Sequence, residues 1–476
     1  MNRKFKITRI AAYIISIIIV AAVIFSHGTL TPPRIVMAVL AILIGVPAML
    51  LLDKIADKNA YEPALNPASD NRSDDTGILR SGRFSKAHIA IFLIITAIAI
   101  AVRIPLYPHK SPDFVMFQGA WFDELAGRGL SALSVRFGNY APFYSTVFAL
   151  LAQTGLSAMF VTKFIPIVFD FLMAIVSTFI FHEVSGDTST PVKRLSVYGV
   201  ILLNPLTVLN ASGWGQCDSL YTTFVLLCLY VLIRCAKGTS VYGGDVAVIF
   251  LSVAFALKFQ TVLFFPFIFF IWMLQPRKYV RITHAVWLPV IYFATCIPMF
   301  IAGRTIEDML GVYFGQVNTY DGYLTLRYPN FYSITGLLFR ETPGYFGKIG
   351  MILTAVILIG IFVYMRIKNT ELTSHIMLKT AALSVFISVF FLPSMHDRYG
   401  YIAEMLILIV AVIDRKYIIP AIVSIAVTLF AYIDYLLYYY ELKMPPDIIF
   451  AILRLAVIVF MAMDILGGRD EKQQIS

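Results

Sequence analysis

The sequence predicts an all-α integral membrane protein of about fourteen transmembrane helices, with interfacial helices in its first large loop. Two observations carry this. Of the 476 residues, 59% are hydrophobic and 14% charged, with a mean hydropathy of +0.80; a water-soluble chain is closer to half apolar and a quarter charged. Apolar runs near the length that crosses a hydrocarbon core of about 30 Å recur from end to end.

Taken in order, the first two spans are Ile10–Phe25 and Ile35–Leu52. Arg3, Lys4, Lys6 and Arg9 precede the first, as in a signal peptide, but no small-residue cleavage site follows at Phe25–Ser26–His27, so an uncleaved helix is expected. Residues 1–52 thus read as a two-helix extension, and 53–86 as a polar cytoplasmic linker. A core of 87–440 follows, and 441–476 holds a last helix and a tail. The core spans are Ala87–Leu106, Met159–Phe181, Leu195–Leu209, Leu220–Ile233, Asp245–Leu257, Thr261–Leu274 and Ala285–Ile301. They continue with Phe346–Tyr364, Ile376–Leu392, Tyr401–Ile413 and Ile418–Leu437, and Ile448–Met463 closes the set. Ala141–Gly155 is apolar but short, as expected of a helix lying in the interface.

The net charge of +10 does not indicate nucleic acid. The basic residues sit between spans, where they set orientation. With both termini in the cytoplasm, Lys193, Arg194, Lys237, Arg277, Lys278, Arg366, Lys368, Arg415 and Lys416 fall inside. Segments 107–158, 204–219, 302–345, 393–399 and 438–446 then fall outside. Cys217, Cys228, Cys235 and Cys296 show no CxxC spacing, so neither a disulfide framework nor a zinc site is expected.

The outside segments carry the polar chemistry. Asp113, a few residues past a span end and among aromatics, suits a desolvated general base, but the sequence pattern alone favours a cap on a short helix Phe114–Leu125. Asp123 and Glu124 read as that helix's polar face. In Gly213–Trp214–Gly215–Gln216–Cys217–Asp218–Ser219, Gln216 and Asp218 can face a sugar or a phosphate, or Asp218 can cap the next helix. Lys258 and Gln260 interrupt apolar sequence, either at a cavity or in a turn with a snorkelling lysine. His396 and Arg398, crowded with Asp397 into one short connector, suit a phosphate. Gln316, Asn318, Tyr320, Asp321, Arg327, Tyr328 and Asn330 form an amide- and aromatic-rich loop of the kind that suits carbohydrate. Asp170, in mid-span, calls for a partner within the bundle, and Lys163 is the nearest cation in sequence. No phosphate-binding P-loop, GxSxG, HExxH or GxGxxG occurs, and no clear inverted repeat relates the halves.

Four motifs stand in order: Pro112–Asp113–Phe114 with Trp121, the Gly213–Ser219 segment, Leu257–Lys258–Phe259–Gln260, and Met395–His396–Asp397–Arg398–Tyr399. A fifth, Leu324–Asn330, accompanies them. Over residues 87–440 the chain resembles the GT-C membrane glycosyltransferases, specifically bacterial proteins related to the GPI-anchor mannosyltransferases. More distantly it is similar to the lumenal glucosyltransferases of N-glycan assembly. The family's histidine motif usually has Glu after His; here the residue is Asp397.

The resemblance implies a GT-C helical bundle and an inverting transfer of a hexose, mannose favoured. The donor would be a polyprenyl-phosphate sugar and the acceptor a lipid-linked or cell-envelope glycan, meeting on the extracytoplasmic face without a metal or other cofactor. Asp113 would be the base; His396, Arg398 and Lys258 would hold the donor phosphate. Gln216, Asp218, Tyr140, Asn330, Trp121 and Asp397 would line the substrates. The alternative is a transporter or flippase of a lipid-linked glycan.

Overall fold

A computed structural model describes residues 85–136, 138–238, 243–275, 279–319, 323–335, 345–436 and 447–467. The expected spans Ile10–Phe25 and Ile35–Leu52, and almost all of the linker, lie outside these residues. The described chain is an all-α membrane protein with eight helices long and apolar enough to cross a bilayer. These are Lys86–Leu106, Ala158–Thr188, Asp218–Ala236, Ile282–Ile301, Tyr345–Ile367, Ser374–Phe391, Arg415–Leu436 and Asp447–Leu466.

Four expected spans within the described residues differ. Leu195–Leu209 is a helix Pro191–Leu203 joined to Pro205–Trp214 with a bend of 46°. The cause is local: the residue before a proline is pushed out of the helical region, and Asn204 sits at ψ 129° with its Oδ1 accepting from Leu206 N. Asp245–Leu257, Thr261–Leu274 and Tyr401–Ile413 correspond to apolar helices under 18 residues; at 1.5 Å rise per residue, lengths near 14 fall roughly 9 Å short of a hydrocarbon core. The first two are separated by Lys258, whose backbone is extended (φ −155°, ψ 133°). The bundle is therefore built from eight long helices, up to nine with the bent pair, plus shorter pieces, rather than from regular spans throughout.

We label the helices that position the site α1 Ala158–Ser185, α2 Asp218–Ala236, α3 Gly243–Leu257, α4 Ser374–Phe391, α5 Tyr401–Ile413, α6 Ile418–Leu436 and α7 Asp447–Leu466. Helix α2 packs on α1 and α3, and α4 on α5 and α7. The α4 span is 83% buried, whereas Lys86–Leu106 is 11% buried. A helix apolar on every side and covered on every side is the centre of a bundle; one apolar and uncovered faces lipid.

Two buried ion pairs join helices inside the bundle, although Arg103 Nε, Asp170 Oδ1, Glu404 Oε2 and Arg454 Nε keep no hydrogen-bond partner among the described residues. Arg103 donates to Asp170 Oδ2 at 2.9 Å and to the carbonyls of Ala99 and Leu202. Lys163, the expected partner of Asp170, instead donates to the carbonyls of Leu106, Tyr107 and His109 and so fixes the start of the first long loop. The reason is geometric: seven residues along one helix are roughly 10 Å apart, beyond direct contact, whereas Arg103 comes from a neighbouring helix. Glu404 and Arg454, both fully buried, pair at 3.2 Å beside Thr428.

Candidate functional site

The loops at one end of the bundle converge on Asp113. The first long loop leaves its span, and Ser111 starts a short π-helix, Phe114–Gln118. Ser111 Oγ accepts from Phe114 N at 3.2 Å and donates to the Trp214 carbonyl at 2.7 Å. Asp113 makes no side-chain capping bond, so the capping alternative does not hold; Ser111 caps, and the carboxylate is left for other partners. It receives three donors: Trp214 Nε1 on Oδ2 at 2.9 Å, Gln216 Nε2 on Oδ2 at 2.5 Å, and Tyr435 Oη on Oδ1 at 2.5 Å.

The Gly213–Ser219 segment supplies two of those donors. It ends a second π-helix, Leu209–Trp214, and turns on Gly215 at φ +77°. A Cβ there would stand 2.9 Å from Thr162 Cγ2, so both conformation and space require glycine. Gln118 Nε2 donates to the Gly215 carbonyl at 3.1 Å and to Tyr140 Oη at 2.9 Å. Two π-turns, a wide form of helix that often marks functional positions, are thus laced together by side chains around one carboxylate.

The connector after α4 brings the cations. Met395–His396 pairs in parallel with Thr325–Leu326, and Asp397 N donates to the Leu326 carbonyl at 3.0 Å. Arg327 (φ 66°) and Ser394 (φ 60°) hold left-handed conformations at this pair, which non-glycine residues seldom adopt. Arg398, 16% exposed, lies 3.5 Å from Asp397 Oδ1 and 3.9 Å from Asp218 Oδ2, with its guanidinium 4.9 Å from the Trp214 ring centre. Its Nε is buried without a hydrogen-bond partner, and so is Asp397 Oδ1. Burial alone would lower the Arg398 pKa, but Asp113, Asp397 and Asp218 outweigh it and push the value well up.

Lys258, at the break after α3, donates to Asp218 Oδ1 at 2.5 Å and lies 5.6 Å from the Tyr221 ring centre. It is neither snorkelling nor alone: the turn is present, and its ammonium points to a buried partner.

Several expected roles change. Asp218 is 0% exposed; its oxygens take Lys258 and Asn210 Nδ2, so it braces the lysine. It is also the first helical residue of α2, behind the cap position at Cys217. Gln216 gives its amide to Asp113 and so orients the carboxylate. Burial, then Arg398 and Lys258, hold the His396 pKa well below the ordinary value. Asn330 is 0% exposed and caps the turn Phe331–Thr335, its Oδ1 accepting from Tyr332 N at 3.1 Å, while its Nδ2 has no hydrogen-bond partner among the described residues. Tyr140 and Trp121 meet edge to face at 5.3 Å. Trp121 lies under Gly138 (φ +57°), where a Cβ would come within 2.8 Å of the indole. These two rings form a wall of the loop, with Trp121 partly exposed.

Asp397 is 2% exposed, and its pKa is pushed up to about 7 by burial, with Arg398 opposing and Asp113 adding to the rise. Beyond Asp113, Val115, Met116 and Phe117 are exposed apolar side chains. The side chains of Gln316 and Asn318, and all of Tyr320 and Asp321, lie outside the described residues.

Two contributors escaped the sequence reading. Trp214 sits inside a motif but carried no role there; Tyr435 lies at the end of α6, in a run of tyrosines that looks like an ordinary interfacial anchor. Among the described residues no group of three His, Cys, Asp or Glu side chains is placed to hold a metal ion. The four cysteines are free thiols. No protein-family model matches the chain, and neither does any curated protein sequence.

Proposed function

We propose that this protein is an inverting glycosyltransferase of the GT-C type, moving a hexose, mannose favoured, from a polyprenyl-phosphate donor to a lipid-linked or cell-envelope glycan. The observation that carries the reading is the fixing of Asp113 by three donors, in a loop cluster where the Arg398 guanidinium approaches carboxylates only at 3.5 and 3.9 Å. A base must be held in place before its substrate arrives, and a leaving anion needs a charge already there to meet it.

In the reaction Asp113 takes the proton of an acceptor hydroxyl. The freed oxygen pair forms the new bond to the anomeric carbon from the side opposite the phosphate. The bond from that carbon to the phosphate oxygen breaks, and its electron pair leaves on polyprenyl phosphate. Arg398 meets the charge that develops there, with Lys258 behind it. His396 offers at most a neutral N–H. The exposed Val115, Met116 and Phe117 beside Asp113 suit the apolar chain of the donor. The opposite end of the bundle carries Lys193, Arg194, Lys237, Arg366, Lys368, Arg415 and Lys416, and under the positive-inside rule this supports a cytoplasmic placement of that end and an extracytoplasmic placement of the site.

The test uses purified protein in lipid vesicles, with radiolabelled polyprenyl-phosphate mannose or glucose as donor and envelope glycolipid extracts as acceptor. Label transferred to the acceptor, with release of polyprenyl phosphate, is the expected result. Label that crosses the bilayer still attached to its lipid would replace this reading with a flippase. Neither donor bound or consumed would sink both sugar assignments.

A further inference from the structure

We infer that Oδ1 of Asp113 is the atom that accepts the proton, and that Tyr435 is the positioning residue that presents it. This deepens the glycosyl-transfer reading and rests on it.

The inference follows from counting lone pairs. An ionised carboxylate offers about four acceptor sites, two on each oxygen. On Oδ2 both are used, by Trp214 Nε1 at 2.9 Å and Gln216 Nε2 at 2.5 Å. Among the described residues Oδ1 receives only Tyr435 Oη, at 2.5 Å. One site on Oδ1 is therefore open, and an incoming hydroxyl has that oxygen to address. When its proton arrives on Oδ1, the hydroxyl's bonding pair passes to the new glycosidic bond and the donor's phosphate leaves with the pair of the broken bond. Tyr435 keeps its own proton throughout and holds the carboxylate plane in register.

The tyrosine is itself held on both sides. Its ring stacks on Trp214 at 4.6 Å with planes 23° apart. The Arg327 guanidinium lies 5.5 Å from its centre, and Arg327 is tied by Asp434 at 2.8 Å, one residue before Tyr435 on α6. Arg327 also adjoins the strand pair that carries His396. A single helix end thus gauges the distance between the first loop, the Trp214 loop and the His396–Arg398 connector.

The experiment compares kcat and donor KM for wild type, Tyr435→Phe and Asp113→Asn, each checked for folding by size exclusion. Phe keeps the ring contacts and removes only the hydroxyl. The expected result is a fall in kcat of about 10- to 100-fold, the range for a hydrogen bond to a charged group, with donor KM within about twofold. A residue that only supported the fold would disturb KM together with kcat. Wild-type kcat in Tyr435→Phe, or a loss confined to KM, overturns the inference and leaves the glycosyl-transfer reading standing, provided Asp113→Asn is dead. No transfer by wild type brings down the reading, and the inference with it. Should Tyr435→Phe not fold, Asp434→Asn, which frees Arg327 from the ring, is expected to lower kcat severalfold at constant KM, and an unchanged kcat there overturns the inference equally.

Discussion

Two clusters of charge stand at opposite ends of this bundle, built from nearly the same parts. At one end Lys379 and Lys416 meet Asp414 and Asp464. Lys379 lies 2.9 Å from Asp464 and 3.1 Å from Asp414, Lys416 lies 2.5 Å from Asp464, and Tyr417 Oη donates to Asp464 at 2.7 Å. Each ammonium has two carboxylates in reach, and the cluster clasps α4, α7 and the turn between α5 and α6. At the other end Lys258 meets Asp218, and Arg398 lies by Asp218 and Asp397. There Arg398 approaches its carboxylates only at 3.5 and 3.9 Å, and its Nε has no hydrogen-bond partner. Unpartnered nitrogens also occur in the buried pairs Arg103–Asp170 and Glu404–Arg454, at Arg103 Nε and Arg454 Nε; what sets the Arg398 end apart is that its loosely held guanidinium lies in one loop cluster with the anchored carboxylate of Asp113. That difference, not the inventory of residues, separates a brace from a site.

The comparison breaks first at Arg398. Arg398→Ala is expected to reduce transfer about 10²- to 10³-fold, as for other preorganised groups that meet developing charge, while the folded yield stays near wild type. An equal loss from Lys379→Met would erase the distinction between the two ends. Instead Lys379→Met should cost stability: about 2 kcal/mol, below the roughly 3–5 kcal/mol of a fully uncompensated buried charge because Lys416 still reaches both carboxylates. Its transfer rate per folded molecule should match wild type. Thermal unfolding in detergent, run beside the transfer assay, reads both numbers.

The smallest effect is one of pH. The Asp397 carboxyl, pushed up to about 7 by burial, stays neutral in the folded protein over a range where the unfolded chain ionises it near 3.8. Its contribution to stability is therefore complete below about pH 3.8, declines as pH rises toward about 7, and is level above. Asp397→Asn should remove that slope, which a series of Tm values from pH 4 to 8 would show. A slope unchanged in the variant would assign it to another group.

Much of this was legible in the chain. Long apolar runs give a helix wherever they can also satisfy their backbone, so the eight full spans follow from composition alone. The break at Asn204–Pro205 has a local signal. The one at Lys258 does not: an extended residue between apolar helices is stable only because Asp218, 40 residues earlier, receives the lysine. Asp170 illustrates the same limit, since Arg103 reaches it from 67 residues away. In the site, Asp113, Gln216, Asp218, Lys258 and Arg398 could be marked because each is costly where it sits. What could not be read was who faces whom: that Gln216 donates to Asp113 and Asp218 receives Lys258 emerges only in the fold. Tyr435 left no trace, because a tyrosine at a helix end is ordinary until the fold brings it against Asp113, 322 positions earlier.

The most direct test of the account is a single-turnover measurement on Asp113→Asn, loaded with polyprenyl-phosphate hexose and mixed with acceptor. The variant keeps size and shape but cannot take a proton, so donor should remain bound while transfer falls about 10²- to 10⁴-fold, the usual share of a general base. Transfer at the wild-type rate from the donor-loaded variant would contradict the role of Asp113, and with it the reading of this end of the molecule as an active site.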